Sequence, residues 1–464
     1  MTAFSCLVGS LLSDFYRCPS PSIEFALTSQ LGPSPGYFRT SEGSVGYGRL
    51  CGDQAAATPN GTIPEVHAHI NKERGLVGLP FDPVEVVTNL RLEKYSTDSH
   101  TNAAAGGSMV RRLYYLLRPA MPVSVRKHLQ RLSLRGWDQI RFPQWPVDRS
   151  VDRLHEWLLG LAMKAEGVTE VPFVWFWPDG NSSCASITHD VETAAGRDFC
   201  SQLMDINDSY GIKTSFQVVP EERYELPSAF LDSFWERGFE VNIHDLNHDG
   251  NLFFCPFDEF RDKAKRINRY GQELGARGFR SAVLYRKFEW MNELKFLYDM
   301  SMPSVGHLDP QRGGCCSVLP YWVGDLVEIP VTTIQDYSLF QILGDYTTRL
   351  WEEQMSAIMQ AHGMATFIIH PDYVIEARAR QVYEQLLKHL SSLRSYNDLW
   401  ITQPGEINDW WRARARMELV HDGGTWRVVG KESERARVAY ARADEDGITY
   451  RVQQSTTSSV LGSR

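Results

Sequence analysis

Between residues 181 and 417 the chain alternates short apolar runs with longer stretches of helical period. The runs are "CASITHD", "KTSFQVV", "FEVNIH", "FRSAVL", "LVEIPV", "ATFIIH" and "LWITQP". They are rich in β-branched and aromatic residues and too short for helices, so they predict strands. Between them, "FDEFRDKAKRINRYGQELGARG" and "RLWEEQMSAIMQAHG" space apolar residues three and four apart, the stripe of a helix packed on a sheet. This alternation predicts an α/β fold with parallel strands. Three of the runs end on a titratable residue, Asp190, His244 or His370. The C-terminal ends of strands are where barrel enzymes gather their chemistry.

The flanks have other patterns. Residues 1–108 are rich in Gly, Pro, Ser and Thr, carry strand-like pieces such as "GSVGYGRL", and read as an N-terminal accessory region that closes on a linker, "TDSHTNAAAGGS". Residues 109–180 read as a helical connector, with helices on both sides of "RPAMP" and another in "SVDRLHEWLLGLAMKAEG". Residues 181–417 are the (β/α) region. Residues 418–464 contain "ELVHDGGTWRVVG", "RARVAYARA" and "ITYRVQQ", a small β-rich extension that turns on "DGG" and ends in a tail expected to be disordered.

Composition narrows the function classes. A chain of 464 residues with 43% hydrophobic content can bury a large barrel core plus accessory parts. A net charge of −9 speaks against nucleic acid as a partner. The eight cysteines include no Cys-x-x-Cys pair and read as small buried residues of a reducing compartment. The apolar "AFSCLVGSLL" lacks a basic flank and a small-residue cleavage site, and no run is long enough to span a bilayer. A cytoplasmic location is the default expectation. The basic, apolar stretch 109–132 is a candidate for peripheral contact with an anionic membrane, weighed against packing on the barrel.

Three fragments carry the candidate chemistry: Asp190-Val191-Glu192, His244 with His248, and His370. Alternate side chains of a strand share a face, so Asp190 and Glu192 enter one pocket while His189 packs behind it. His244 and His248 are four apart, and one helical turn or a tight loop sets both imidazoles on one side. A carboxylate with two histidines suits a borderline divalent ion, zinc first, with Co²⁺, Ni²⁺ and Fe²⁺ as alternatives, and leaves positions open for water and substrate.

On these residues the stretch from about Ser183 to Tyr373 resembles the polysaccharide deacetylase family, carbohydrate esterase family 4, also called the NodB-homology domain. The family's Thr-Phe-Asp-Asp is matched by Thr188-His189-Asp190-Val191-Glu192. Its His-Ser/Thr-x-x-His is matched by His244-Asp245-Leu246-Asn247-His248. Its Arg-x-Pro is matched in part by Arg280, with Ala282 at the proline position, and its Leu-x-His by Ile368-Ile369-His370. "THDVETAAGRDFC", "HDLNHDG" and "DPQRGGCC" look like a bacterial subgroup found among cell-surface glycan genes.

The resemblance implies a distorted (β/α)7 barrel that removes acetyl groups from an N-acetylated saccharide or polysaccharide. It implies Asp190 as the base that takes a proton from water, Arg280 as the residue that orients it, and His370 as the acid that protonates the leaving amine. Glu192, His244 and His248 become the metal ligands. Asp309 and Asp372 are candidates for the acid that partners His370. Trp177, Gln311 and Asp336 are candidates for substrate contact. Two other readings stand beside this one: a same-fold hydrolase of a non-sugar amide C–N bond, and a non-catalytic glycan-binding relative.

Overall fold

The computed structural model describes residues 2–41, 43–52, 54–96, 134–395, 399–444 and 447–453. The expected linker, the basic stretch 109–132 and the terminal tail lie outside the described residues. The N-terminal apolar run is helix α1 (Ala3–Tyr16), which turns Val8, Leu12, Phe15 and Tyr16 into the core. Strands β1 (Glu24–Leu27), β4 (Asn71–Glu73) and β5 (Leu76–Leu79) make one sheet, and β2 (Gly36–Ser41) and β3 (Ser44–Gly48) make a hairpin. Helix α2 (Pro83–Arg91) starts where sequence chemistry dictates. The Asp82 carboxylate accepts the backbone N–H groups of Val84 and Glu85, and Pro83 opens the first turn.

The described part of the helical connector, residues 134–180, is not set apart from its neighbours. Helix α3 (Ser150–Glu166) packs on α1, α2 and the N-terminal strands, with Val151, Leu154, Leu158 and Leu161 in the same core. Strand β6 (Glu170–Val174) joins the C-terminal extension, pairing antiparallel with β18 (Val438–Ala443), which also pairs with β19 (Ile448–Val452). Both residue groups therefore belong to flanking layers whose apolar faces they cover. The remaining hairpin, β16 (Glu418–Asp422) and β17 (Thr425–Val429), turns on Gly423 and Gly424 with φ of 58° and 92°, values that L side chains resist. Buried Arg414, at the end of helix α9 (Pro404–Arg414), donates to the carbonyls of Phe15, Tyr16, Val174 and Trp175 and so ties these layers together.

The barrel sheet contains β7 (Ser183–Val191), β8 (Ser215–Val218), β9 (Glu240–His244), β10 (Gly278–Arg280), β11 (Tyr298–Asp299), β12 (Tyr321–Val323), β13 (Leu326–Glu328), β14 (Met364–Ile368) and β15 (Leu399–Ile401). The path β14-β7-β8-β9-β10-β11-β13 is parallel throughout, as the α/β alternation predicts. Helices α4 (Ala194–Ser209), α5 (Ser228–Glu236), α6 (Phe257–Glu273), α7 (Arg349–Gln360), α8 (Ala377–Ser395) and α9 accompany it. Strand β7 is buried along its whole length, and β15 docks on its first residues. Between β13 and β14 the sheet closes through side chains. Thr332 Oγ1 donates to the Met364 carbonyl, Thr333 Oγ1 to the Thr366 carbonyl and Thr366 Oγ1 to the Pro330 carbonyl. The result is a distorted (β/α) barrel.

The run "FRSAVL" is a strand only as far as Arg280. Val283 and Leu284 follow with φ of 60° and 54°, a strained turn for a β-branched residue. Strand β11 is two residues long and carries no apolar pattern that would reveal it.

Candidate metal centre

Each implied site residue sits at or just past the C-terminal end of a barrel strand. Asp190 and Glu192 close β7, His244 closes β9, and Arg280, in register beside His244, closes β10. His248 follows β9 in a tight loop in which Asp245 and His248 take φ of 58° and 54°. Arg223 holds that loop, donating from Nε to the Asn247 carbonyl at 3.0 Å and from Nη2 to the His248 carbonyl.

The two imidazoles converge, with ring centroids 4.8 Å apart. Nδ1 of His244 lies 3.2 Å from the Arg280 carbonyl oxygen. That acceptor fixes the proton on Nδ1 and leaves Nε2 as a lone-pair donor facing the corner. Nε2 of His244 and Nε2 of His248 are both buried, and among the described residues neither makes a hydrogen bond of good geometry. Buried polar atoms are normally satisfied, so such orphans call for a ligand. Glu192 Oε1 completes the set, 3.5 Å from His244 Nε2 and 2.8 Å from His248 Nε2, with all three donor atoms within 4.8 Å of one another. Two imidazole nitrogens and a carboxylate oxygen at these distances fit a divalent cation of the zinc type.

Asp190 and His370 flank this corner. Arg280 Nη1 donates at 2.7 Å to Asp190 Oδ1 and at 2.7 Å to Thr188 Oγ1. Asp190 Oδ2 is left facing the histidines, 3.7 Å from His244 Nε2. Burial alone would raise the Asp190 pKa, but Arg280, His244 and His370 together outweigh it and hold the carboxyl below its ordinary range. His370 Nδ1 meets Asp336 Oδ1 at 2.6 Å, and its backbone N–H donates to Asp336 Oδ2 at 2.7 Å. Its Nε2 points into the corner, 3.4 Å from Glu192 Oε1. Burial would depress His370, yet Asp336, joined by Glu192, raises it well above the ordinary histidine value. On the other face of β7, His189 bonds the Ile369 carbonyl and Asn207, behind the pocket as strand alternation requires.

Four expectations are corrected. The acid that partners His370 is Asp336. Asp309 instead accepts from Gln335, and Asp372 Oδ1 is buried with no partner among the described residues. Asp336 is consequently no substrate contact, since it is fully buried and both its oxygens face His370. Trp177 is fully buried at the N-terminal end of β7, opposite the site. Its Nε1 donates to the His362 carbonyl, and its ring packs near Trp400 and Trp411. Gln311 is buried, with its amide closed on the backbone of Arg286 through both Oε1 and Nε2. Arg223 was not anticipated, because "PEERYELP" has no periodic or motif signal.

No protein-family model matches the sequence, and no curated protein matches it significantly. Among solved structures, the chain is similar to a Mycobacterium smegmatis protein described as a polysaccharide deacetylase, at 19% identity over 52% of this chain and 93% of that one, with a TM-score of 0.42. It is also similar to Puue allantoinase, at 14% identity over 51% of this chain and 92% of the other, with a TM-score of 0.40. A further match is a CE4 family pseudoenzyme from Bacillus anthracis, at 15% identity over 50% of this chain and 66% of the other, with a TM-score of 0.31. The chemical reading of this corner therefore rests on its own residues.

Proposed function

We propose that the chain is a metal-dependent hydrolase that removes acetyl groups from an N-acetylated saccharide or polysaccharide. One observation carries the reading. Two orphaned imidazole nitrogens and a carboxylate lie between an aspartate held by Arg280 and a histidine held by Asp336. Glu192, His244 and His248 would hold the divalent ion, zinc by preference, which supplies polarisation of the amide carbonyl and acidifies water. Asp190 Oδ2 accepts the proton of the attacking water, while Arg280 keeps Oδ1 occupied so that a single oxygen is presented. His370, kept protonated by Asp336, donates from Nε2 to the amine nitrogen as the C–N bond breaks. Acetic acid leaves and gives its proton to the freed amine, so acetate and the ammonium product depart. The proton taken by Asp190 then returns through water to His370.

The test is acetate release from a panel of N-acetylated oligosaccharides, with and without chelator and with Zn²⁺ added back. Release that chelator stops and Zn²⁺ restores is expected. No release from any member by the zinc-loaded protein would sink the deacetylase reading and favour the non-sugar amide or glycan-binding alternative.

A further inference from the structure

Two departures from the motifs of the resembling family meet at one hydrogen bond. Asp245 stands where the motif has Ser or Thr, and Ala282 stands where it has Pro. The backbone N–H of Ala282 donates to Asp245 Oδ2 at 3.2 Å, a bond that proline, having no N–H, cannot make. The backbone path is still one that proline accepts: Ser281 has φ −78° and ψ 152°, the conformation of a residue preceding proline. Asp245 is buried, and its other oxygen accepts the Leu246 N–H at 2.6 Å. Its own N–H donates at 2.8 Å to the Arg280 carbonyl, the same oxygen that faces His244 Nδ1. Arg280 is thus a hub. Its carbonyl sets the His244 tautomer, its guanidinium holds Asp190, and Asp245 grips the chain just past it, on both sides of Ser281.

We propose that Asp245 is a positioning residue for the metal corner: by capturing the Ala282 N–H it locks the exit of β10 against the exit of β9, and Asp245 with Ala282 replaces Ser or Thr with proline as one matched pair. The mixed pairs are the costly ones. Asp245 with proline leaves a buried carboxylate oxygen without a donor, and serine with Ala282 leaves a buried N–H without an acceptor. The effect on turnover rests on the hydrolase reading, but the effects on folding and on zinc do not.

The experiment is a double-mutant cycle on the full chain with Ala282→Pro, Asp245→Ser and the double variant, after chelator treatment. Thermal midpoints of the metal-free proteins, Zn²⁺ titrations and acetate release are read in parallel. Each single variant is expected to melt lower and to bind Zn²⁺ about tenfold more weakly, a typical cost for disturbing the support of a metal ligand. The double variant is expected to regain most of both losses. Strain of serine at φ 58° is common to both backgrounds and cancels in the cycle. A double variant no better than the sum of its parts, or Ala282→Pro indistinguishable from the parent in melting and zinc binding, overturns the proposal. If Asp245→Ser does not fold, Asp245→Asn, which tolerates the left-handed backbone, takes its place with the same sign of coupling expected. Coupling in melting and zinc without acetate release from any variant or the parent would leave this proposal standing while the deacetylase reading fell. Acetate release by the parent without coupling would do the reverse.

Discussion

Arg280 and Arg286 lie six residues apart, are both buried, and each faces a carboxylate. Arg280 grips only Oδ1 of Asp190, so Oδ2 stays available at the corner. Arg286 occupies both oxygens of Glu93, and its remaining donors go to the carbonyls of Leu284 and Gln311. The second pair binds the accessory region to the barrel and leaves nothing exposed to a substrate. Burial and charge pairing are common to the two. The difference is whether an oxygen is left over, and on the proposed mechanism that separates a reacting carboxylate from a structural one.

The sharpest way to break the comparison is to neutralise each carboxylate in turn. Asp190→Asn is expected to lower turnover by about 10³-fold while zinc content stays near that of the parent, since the ligand set is untouched. Acetate release and metal analysis on the same preparation check it, and retained activity would remove Asp190 from the role of base. Glu93→Gln is expected to do the converse. It leaves Arg286 buried without a counter-charge, at a cost of about 3 kcal/mol in denaturant unfolding. The folded fraction should keep the parent kcat and KM. A kcat loss as large as that of Asp190→Asn would show that the two arginines are not separable.

A smaller effect is expected from Asp336→Asn, about 10²-fold in kcat. Asp336 raises the pKa of His370, and in the proposed mechanism His370 acts in its protonated form, so activity is expected below that pKa and lost as pH rises through it. Removing the carboxylate lowers the pKa. The alkaline limb of the kcat profile should therefore move to lower pH, and the deficit should shrink toward acid. A limb that stays in place would detach Asp336 from the proton donor.

How much of this was legible in the sequence follows from what each residue depends on. Asp190, Glu192, His244 and His370 end apolar runs or closely follow them, and parallel topology carries strand ends to one face, so pattern and motif order were enough to assemble them, whereas Arg280 stands second in its run and was placed by motif order alone. Asp336 also follows an apolar run, but its pairing with His370 depends on β13 and β14 being neighbours across a seam closed by threonine side chains. No periodicity announces that seam, and the sequence pointed to Asp309 and Asp372 instead. The pairing of β6 with β18 is likewise a long-range contact, and for that reason the connector and the extension read as separate pieces. Trp177 was recoverable, because a residue that immediately precedes a barrel strand lies at the end opposite the site.

Trp177→Phe, the mildest of these variants, tests that polarity. The indole is fully buried, donates at 2.7 Å to the His362 carbonyl, and packs beside Trp400 and Trp411. Phenylalanine keeps most of the ring packing and deletes the N–H. His362 is only partly buried, so water can reach its freed carbonyl, and the expected cost is about 1 kcal/mol of stability. KM for an N-acetylated oligosaccharide should not move, because the proposed mechanism places binding at the other end of the strands. Unfolding curves and initial rates on the same variant decide the matter. A severalfold rise in KM with stability intact would mean that substrate reaches the N-terminal end of β7, and the assignment of the working face of the barrel would have to be reversed.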